Sequence, residues 1–138
     1  QRSRYKEAEQ WSPSIAPTTR ILRTPDVYGY LALCVTPFNA FDIDVTGTYT
    51  GKMLVPHLAS SGTPTDTQIE SDPFFDLNLK ASYELPLADK TQLELSAGVV
   101  NLFNSFQSDL DKGIDRDSDY IYGPALPRSF TCGATLRF

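Results

Sequence analysis

Residues 74–103 read FFDLNLKASYELPLADKTQLELSAGVVNLF, and the fold turns on this stretch. Its first half places Phe75, Leu77, Leu79, Ala81, Tyr83 and Leu85 at odd positions, with Asp76, Asn78, Lys80, Ser82 and Glu84 between them. After a break at residues 86–90 the pattern resumes, setting Leu93, Leu95, Ala97 and Val99 against Gln92, Glu94, Ser96 and Gly98. A period of two belongs to a β-strand with one apolar and one polar face, and helical periodicity is absent. The break holds Pro86, Asp89 and Lys90, which is turn chemistry. The stretch therefore predicts two long antiparallel strands joined by a tight turn.

Three further segments repeat the alternation. Residues 41–53 set Phe41, Ile43, Val45, Gly47, Tyr49, Gly51 and Met53 against Asp42, Asp44, Thr46, Thr48, Thr50 and Lys52. Residues 128–138 alternate Phe130, Cys132, Ala134, Leu136 and Phe138 with Thr131, Gly133, Thr135 and Arg137. Residues 27–37 do so with weaker contrast, Leu31, Leu33 and Val35 facing away from Tyr30, Cys34 and Thr36. The expected fold is all-β, an antiparallel up-and-down meander of about five long strands at 27–37, 41–53, 74–85, 91–103 and 128–138. Tyr5 reads as the end of an earlier strand. The connections at 37–40 and 86–90 are short, whereas 54–73 and 104–127 are about 20 residues or longer, which a compact soluble meander rarely carries without a function. Residues 10–24, with Pro13 and Pro17, read as a third long loop.

Composition leaves the setting open. An apolar content of 41% with 21% charged residues suits a globular domain and a barrel wall equally, because barrel strands give half their positions to a polar lumen. The net charge of −5 and the absence of a basic stripe argue against a nucleic-acid partner. No run of about 18 apolar residues exists, so strands are the only elements with which this chain can span a bilayer. Residues 1–10 carry Arg2, Arg4, Lys6, Glu7 and Glu9 with no apolar centre; they are not a secretory signal, and the opening reads as truncated. Cys34 and Cys132 fall on opposite-facing positions and are expected as two free thiols.

Strands of about 9 to 13 residues exceed the usual 5 to 6 and match the apolar band of an outer membrane. Alternating long and short connections fit a wall with one set of loops outside the cell and tight turns in the periplasm. Aromatics cluster near strand ends, with Phe38, Phe41, Tyr83 and Phe138 on the short-turn side and Tyr28, Tyr49, Phe75, Phe103 and Phe130 on the long-loop side. That placement resembles two interfacial girdles. Since bacterial single-chain barrels use even strand numbers from about 8 upward, five strands are expected to be part of a larger wall.

Val100-Asn101-Leu102-Phe103-Asn104, then Tyr122-Gly123-Pro124-Ala125-Leu126-Pro127-Arg128-Ser129-Phe130 and a last strand ending on Phe138, resemble the C-terminal end of a TonB-dependent outer-membrane receptor. Thr48-Tyr49-Thr50-Gly51-Lys52-Met53 is similar to the family's strand-to-loop exits, so the resemblance covers residues 1–138. It implies a segment of a roughly 22-stranded transmembrane β-barrel in a Gram-negative outer membrane. It also implies partners: outer-membrane lipid, the rest of the barrel and its plug, TonB acting through an N-terminal part, and the barrel-assembly machinery reading Phe138. The implied function is uptake of a scarce nutrient such as siderophore-iron, haem, cobalamin or a glycan. The isolated segment is expected to transport nothing and to self-associate.

No catalytic constellation is visible, and an enzyme is not expected. His57 follows Pro56 in a long loop with no ligand at metal spacing and reads as a solvated residue. Asp109, Asp111, Asp115, Asp117 and Asp119 surround Gly113 and offer hard oxygens to calcium, although Tyr120 and Leu126 stand where an EF-hand needs Gly and Glu. A solvated or ion-paired loop, with Lys112 and Arg116 as partners, is the competing reading. Trp11, Phe106, Tyr120 and Tyr122 are the candidate substrate contacts. Two rivals to the receptor remain: a soluble ligand-binding β module of lipocalin or sandwich type, and a calcium-stabilised adhesion module.

Overall fold

A computed structural model describes residues 3–60 and 63–138, so the parts of the opening segment at Gln1 and Arg2 and of the 54–73 connection at Ser61 and Gly62 lie outside the described residues. The described chain is all-β and antiparallel, with no helix. In chain order the strands are β1 Arg4–Glu9, β2 Thr18–Arg20, β3 Tyr28–Phe38, β4 Phe41–Thr50, β5 Leu54–His57, β6 Thr67–Glu70, β7 Phe74–Ala88, β8 Thr91–Val100 and β9 Ser129–Arg137. Five of them form one sheet in the order β3-β4-β7-β8-β9, while β1-β2 and β5-β6 are separate two-stranded sheets.

The five long strands stand where the alternation placed them, with ends moved by up to three residues. Residues 54–73 were expected as a loop; instead β5 and β6 pair there, from Leu54 opposite Glu70 to His57 opposite Thr67. β1 carries Tyr5 and pairs with β2 inside the segment read as a third loop. These short strands escaped the periodicity because three to six residues hold too few alternations to register.

The chain divides into two compact units, described in turn. The sheet unit takes Gly29–Thr48, Phe75–Ser105 and Leu126–Phe138. In it β8 sets the register on both sides: Leu79, Ala81, Tyr83 and Leu85 face Val99, Ala97, Leu95 and Leu93, which in turn face Phe130, Cys132, Ala134 and Leu136. Directly paired residues share a face, so these twelve positions make one apolar surface. The opposite surface carries Lys80, Glu84, Glu94 and Arg137, where Arg137 bonds Glu84 at 2.9 Å and Glu94 at 2.6 Å. Thr36 bonding Asp42, and Asn78 bonding Thr46, extend this polar face into β3 and β4.

No residue of β3, β7, β8 or β9 is buried, and Leu31, Leu95 and Leu136 keep 52%, 43% and 54% of their area exposed. At the short-turn end of the sheet Phe38 stacks on Phe41 at 4.8 Å, with Tyr83 at 6.5 Å from Phe41; at the other end Phe75 meets Phe103 at 5.8 Å.

Asn101 closes β8. It adopts a left-handed φ of 53°, which asparagine tolerates, and is buried to 2% exposure. Its amide donates to the carbonyls of Ser105 (2.8 Å) and Leu126 (2.9 Å), its side-chain oxygen accepts from Ser105 N, and its own N–H reaches Asn78. Asn104 takes Arg128 N at 2.9 Å, tying the approach to β9. The Asn-Leu-Phe-Asn run is therefore a backbone latch between the end of β8 and the start of β9.

The other unit, Gln1–Tyr28, Tyr49–Phe74 and Phe106–Ala125, holds the long connections. Its core is small: Met53, Val55 and Tyr120, with Ile69 and Tyr122 packed against them. Val55 and Tyr120 of this cluster thus lie in segments that read as loops, and Met53 at the end of one that read as a strand.

Gly98 tests the sheet register. A Cβ there would lie 2.9 Å from the Leu79 carbonyl oxygen and 3.0 Å from Thr131 Oγ1, so Gly98→Ala must push backbone apart. We expect a loss of about 1–3 kcal/mol in a urea melt, against under about 0.5 kcal/mol for Gly29→Ala, which meets open space.

Candidate functional site

The long connections gather their polar side chains around two carboxylates. Gln107 begins the arrangement. Only 1% exposed, it donates from Nε2 to the Tyr120 carbonyl (3.2 Å) and accepts at Oε1 from Tyr122 N (2.9 Å) and Gly123 N (3.3 Å). One amide thus satisfies three backbone groups and aims both tyrosines. Their hydroxyls converge on Asp109, Tyr120 at 2.6 Å and Tyr122 at 2.7 Å, one to each carboxylate oxygen. Burial opposes ionisation of Asp109, but the two hydroxyls and Gln107 outweigh it and hold the carboxyl below its usual range. Burial, reinforced by that carboxylate, pushes the Tyr122 phenol up to about 12 and raises Tyr120 also.

Asp111 is the second centre. His57 Nε2 donates to its Oδ2 at 2.9 Å, Ser60 Oγ to the same oxygen at 2.7 Å, and Asp117 N at 3.0 Å. An ionised carboxylate only accepts, so Nε2 carries the proton. The His57 bond foremost, then Ser60 and the Asp117 N–H, hold Asp111 at about 2 against an ordinary 3.8. The imidazole stacks on Tyr120, centroids 3.7 Å apart and 10° from parallel, linking the two centres. Asp117 completes the knot by accepting Leu58 N and Asp119 N at 2.8 and 2.9 Å. Arg23 donates to the carbonyls of Asp119 and Ile121.

His57 was expected in solvent and is instead 6% exposed. Its partner lies 54 residues away, beyond the reach of a reading by local spacing. Of the aspartates singled out, Asp109, Asp111 and Asp117 spend their oxygens on protein donors, while Asp115 and Asp119 are exposed. Among the described residues no group of three or more His, Cys, Asp or Glu side chains is placed to hold a metal ion. The expected ion pairing by Arg116 takes another form, its Nη1 donating to the Gly113 carbonyl at 3.1 Å.

Among the candidate substrate contacts, Tyr120 is buried at 3% exposure and Tyr122 half-buried; their rings meet edge to face at 5.5 Å. Phe106 is exposed and Trp11 half-buried, and among the described residues no ring contact joins either to the tyrosines. Beside Tyr120 a cleft of about 310 Å³ opens between Leu110, Arg116, Ser118 and Ile121, at the lower end of small-ligand pockets. Chemically the arrangement is an acceptor-and-phenol scaffold. Ser60 donates to Asp111, the same oxygen that His57 uses, so this is no serine–histidine relay. Comparison of the chain with family models, curated proteins and solved structures gave no match.

Two measurements check this scaffold. Gln107→Ala leaves buried backbone groups without partners and should cost about 1–3 kcal/mol, read as faster tryptic cleavage at Arg116. Asp111 has a folded pKa below its unfolded one, so its contribution is complete above about pH 4 and is lost as pH falls towards 2. Amide exchange at Leu58 and Asp117 should rise across that window, and Asp111→Asn should show no such step there from this carboxyl.

Proposed function

We propose that the chain is a wall segment of a TonB-dependent outer-membrane receptor for a scarce nutrient, part of a roughly 22-stranded barrel closed by strands outside the five described. One observation carries the reading: a sheet of long strands whose apolar face is uncovered and whose polar face is ion-paired. In water such a surface is unfavourable at roughly 25 cal/mol per Å² of apolar area, whereas lipid makes it the outer surface of a barrel. The polar face, with Lys80, Glu84, Glu94 and Arg137, then lines the lumen. The stacked aromatics at the two ends of the sheet suit the two interfaces.

On this reading the long connections face the outside and meet the substrate, through Phe106 and the cleft beside Tyr120. Tyr122 and Tyr120 act behind that surface by holding Asp109. The Asn101 latch fixes the entry to β9, which presents Phe138 to the assembly machinery. TonB and the plug are partners of the receptor as a whole.

The two cysteines provide the experiment. Cys132 lies on the apolar face opposite Ala97, and Cys34 shares its side of β3 with Thr36, which bonds Asp42 on the polar face. In the receptor assembled in outer membranes, a small water-soluble maleimide should label Cys34 and leave Cys132 unmodified until detergent is added. Equal labelling of both thiols, or the reverse preference, defeats the proposal. Leu95→Arg at mid-strand should cost about 2–4 kcal/mol in the same setting, and a change near zero would mean that lipid does not meet this face.

A further inference from the structure

We infer that this chain by itself forms a two-fold symmetric dimer in which the free edge of β9 pairs antiparallel with β9 of a second copy. The inference goes beyond the receptor reading and does not rest on it.

Among the described residues β9 has one neighbour, β8, and all nine of its residues are exposed, so one row of its backbone N–H and C=O groups faces outward. Edges are normally protected by proline, inward-pointing charge, shortness or a bulge. β9 has none of these: Ser129–Arg137 contains no proline, its pairing with β8 is unbroken, and its one charge is the final Arg137. The other edge, β3, is blunted by Pro37, which cannot donate.

Strand direction selects the partner. The sheet has an odd number of strands in antiparallel order, so β3 and β9 run the same way. A second copy placed with its faces aligned meets β9 either by simple translation, giving a parallel β9–β3 pair, or by a half-turn about the sheet normal, giving an antiparallel β9–β9 pair. The half-turn keeps both apolar faces on one side and uses the unblunted edge twice. Antiparallel pairing is also the more stable per residue.

The register follows from length. Centring the half-turn on Gly133 pairs every residue of β9, Ser129 opposite Arg137 at the ends. Phe130 then faces the partner's Leu136, Thr131 the partner's Thr135, and Cys132 the partner's Ala134. Apolar residues meet apolar ones throughout, and a shift by one residue would lose this match.

The test uses the 138-residue chain in dilute, detergent-free buffer. Cys34→Ser removes the other thiol; in that background Ala134→Cys, an exposed small-for-small change, puts a thiol opposite the partner's Cys132 at a spacing that a disulfide spans. Sedimentation should give twice the chain mass. Mild oxidation should convert most of the Ala134→Cys chain to a covalent dimer on a denaturing gel, at least about tenfold faster than the Cys132-only control. A monomer by sedimentation, no excess of covalent dimer over the control, or a covalent ladder beyond two chains would each overturn the inference.

Discussion

The strict side-chain period of two, locked by hydrogen bonding of β8 on both sides, is the constraint on which the sheet depends. Because β8 pairs residue by residue with β7 and β9, a slip of one position would put Glu94 among leucines and Leu95 among charges. The Arg137 bridge to Glu84 and Glu94 forms only in the observed register, spanning three strands from the outermost one. Such exposed pairs contribute little stability, but they penalise the wrong register. The Asn101 latch and the tight turn after β7 fix the two ends of β8, so register is specified at its middle and at both termini.

The chain reverses the usual division of labour between strands and loops. Its long strands bury no apolar layer, while its connections contain Met53, Val55 and Tyr120 and the polar knot around Asp109 and Asp111. Asp111 and Asp117 are met by donors more than fifty residues away and Asp109 by two tyrosines of its own connection, so the connections hold a defined shape with little regular structure beyond the β5-β6 pair. A preformed surface suits recognition, since little ordering cost remains when a ligand arrives.

Legibility in the sequence followed the range of the interactions. β7 and β8 were readable because alternation over ten or more residues is a local signal with few competing explanations. The β5-β6 pair was not, since four residues and a proline carry no clear period. The aspartates around Gly113 were visible as a cluster, but what Asp111 and Asp117 accept depends on His57, Ser60 and Leu58, more than fifty residues earlier. Gln107 gave no signal at all: its role comes from burial, which local composition does not reveal. His57 misled for the same reason.

Spin labels placed singly at residues 93 to 99, in the chain folded into lipid bilayers, would test the central claim most directly through their collisions with oxygen and with a water-soluble nickel chelate. The account predicts oxygen maxima at 93, 95, 97 and 99 and nickel maxima at the even positions between them. Odd positions shielded from both reagents would reveal a dry protein interior behind the sheet and contradict a lipid-facing wall.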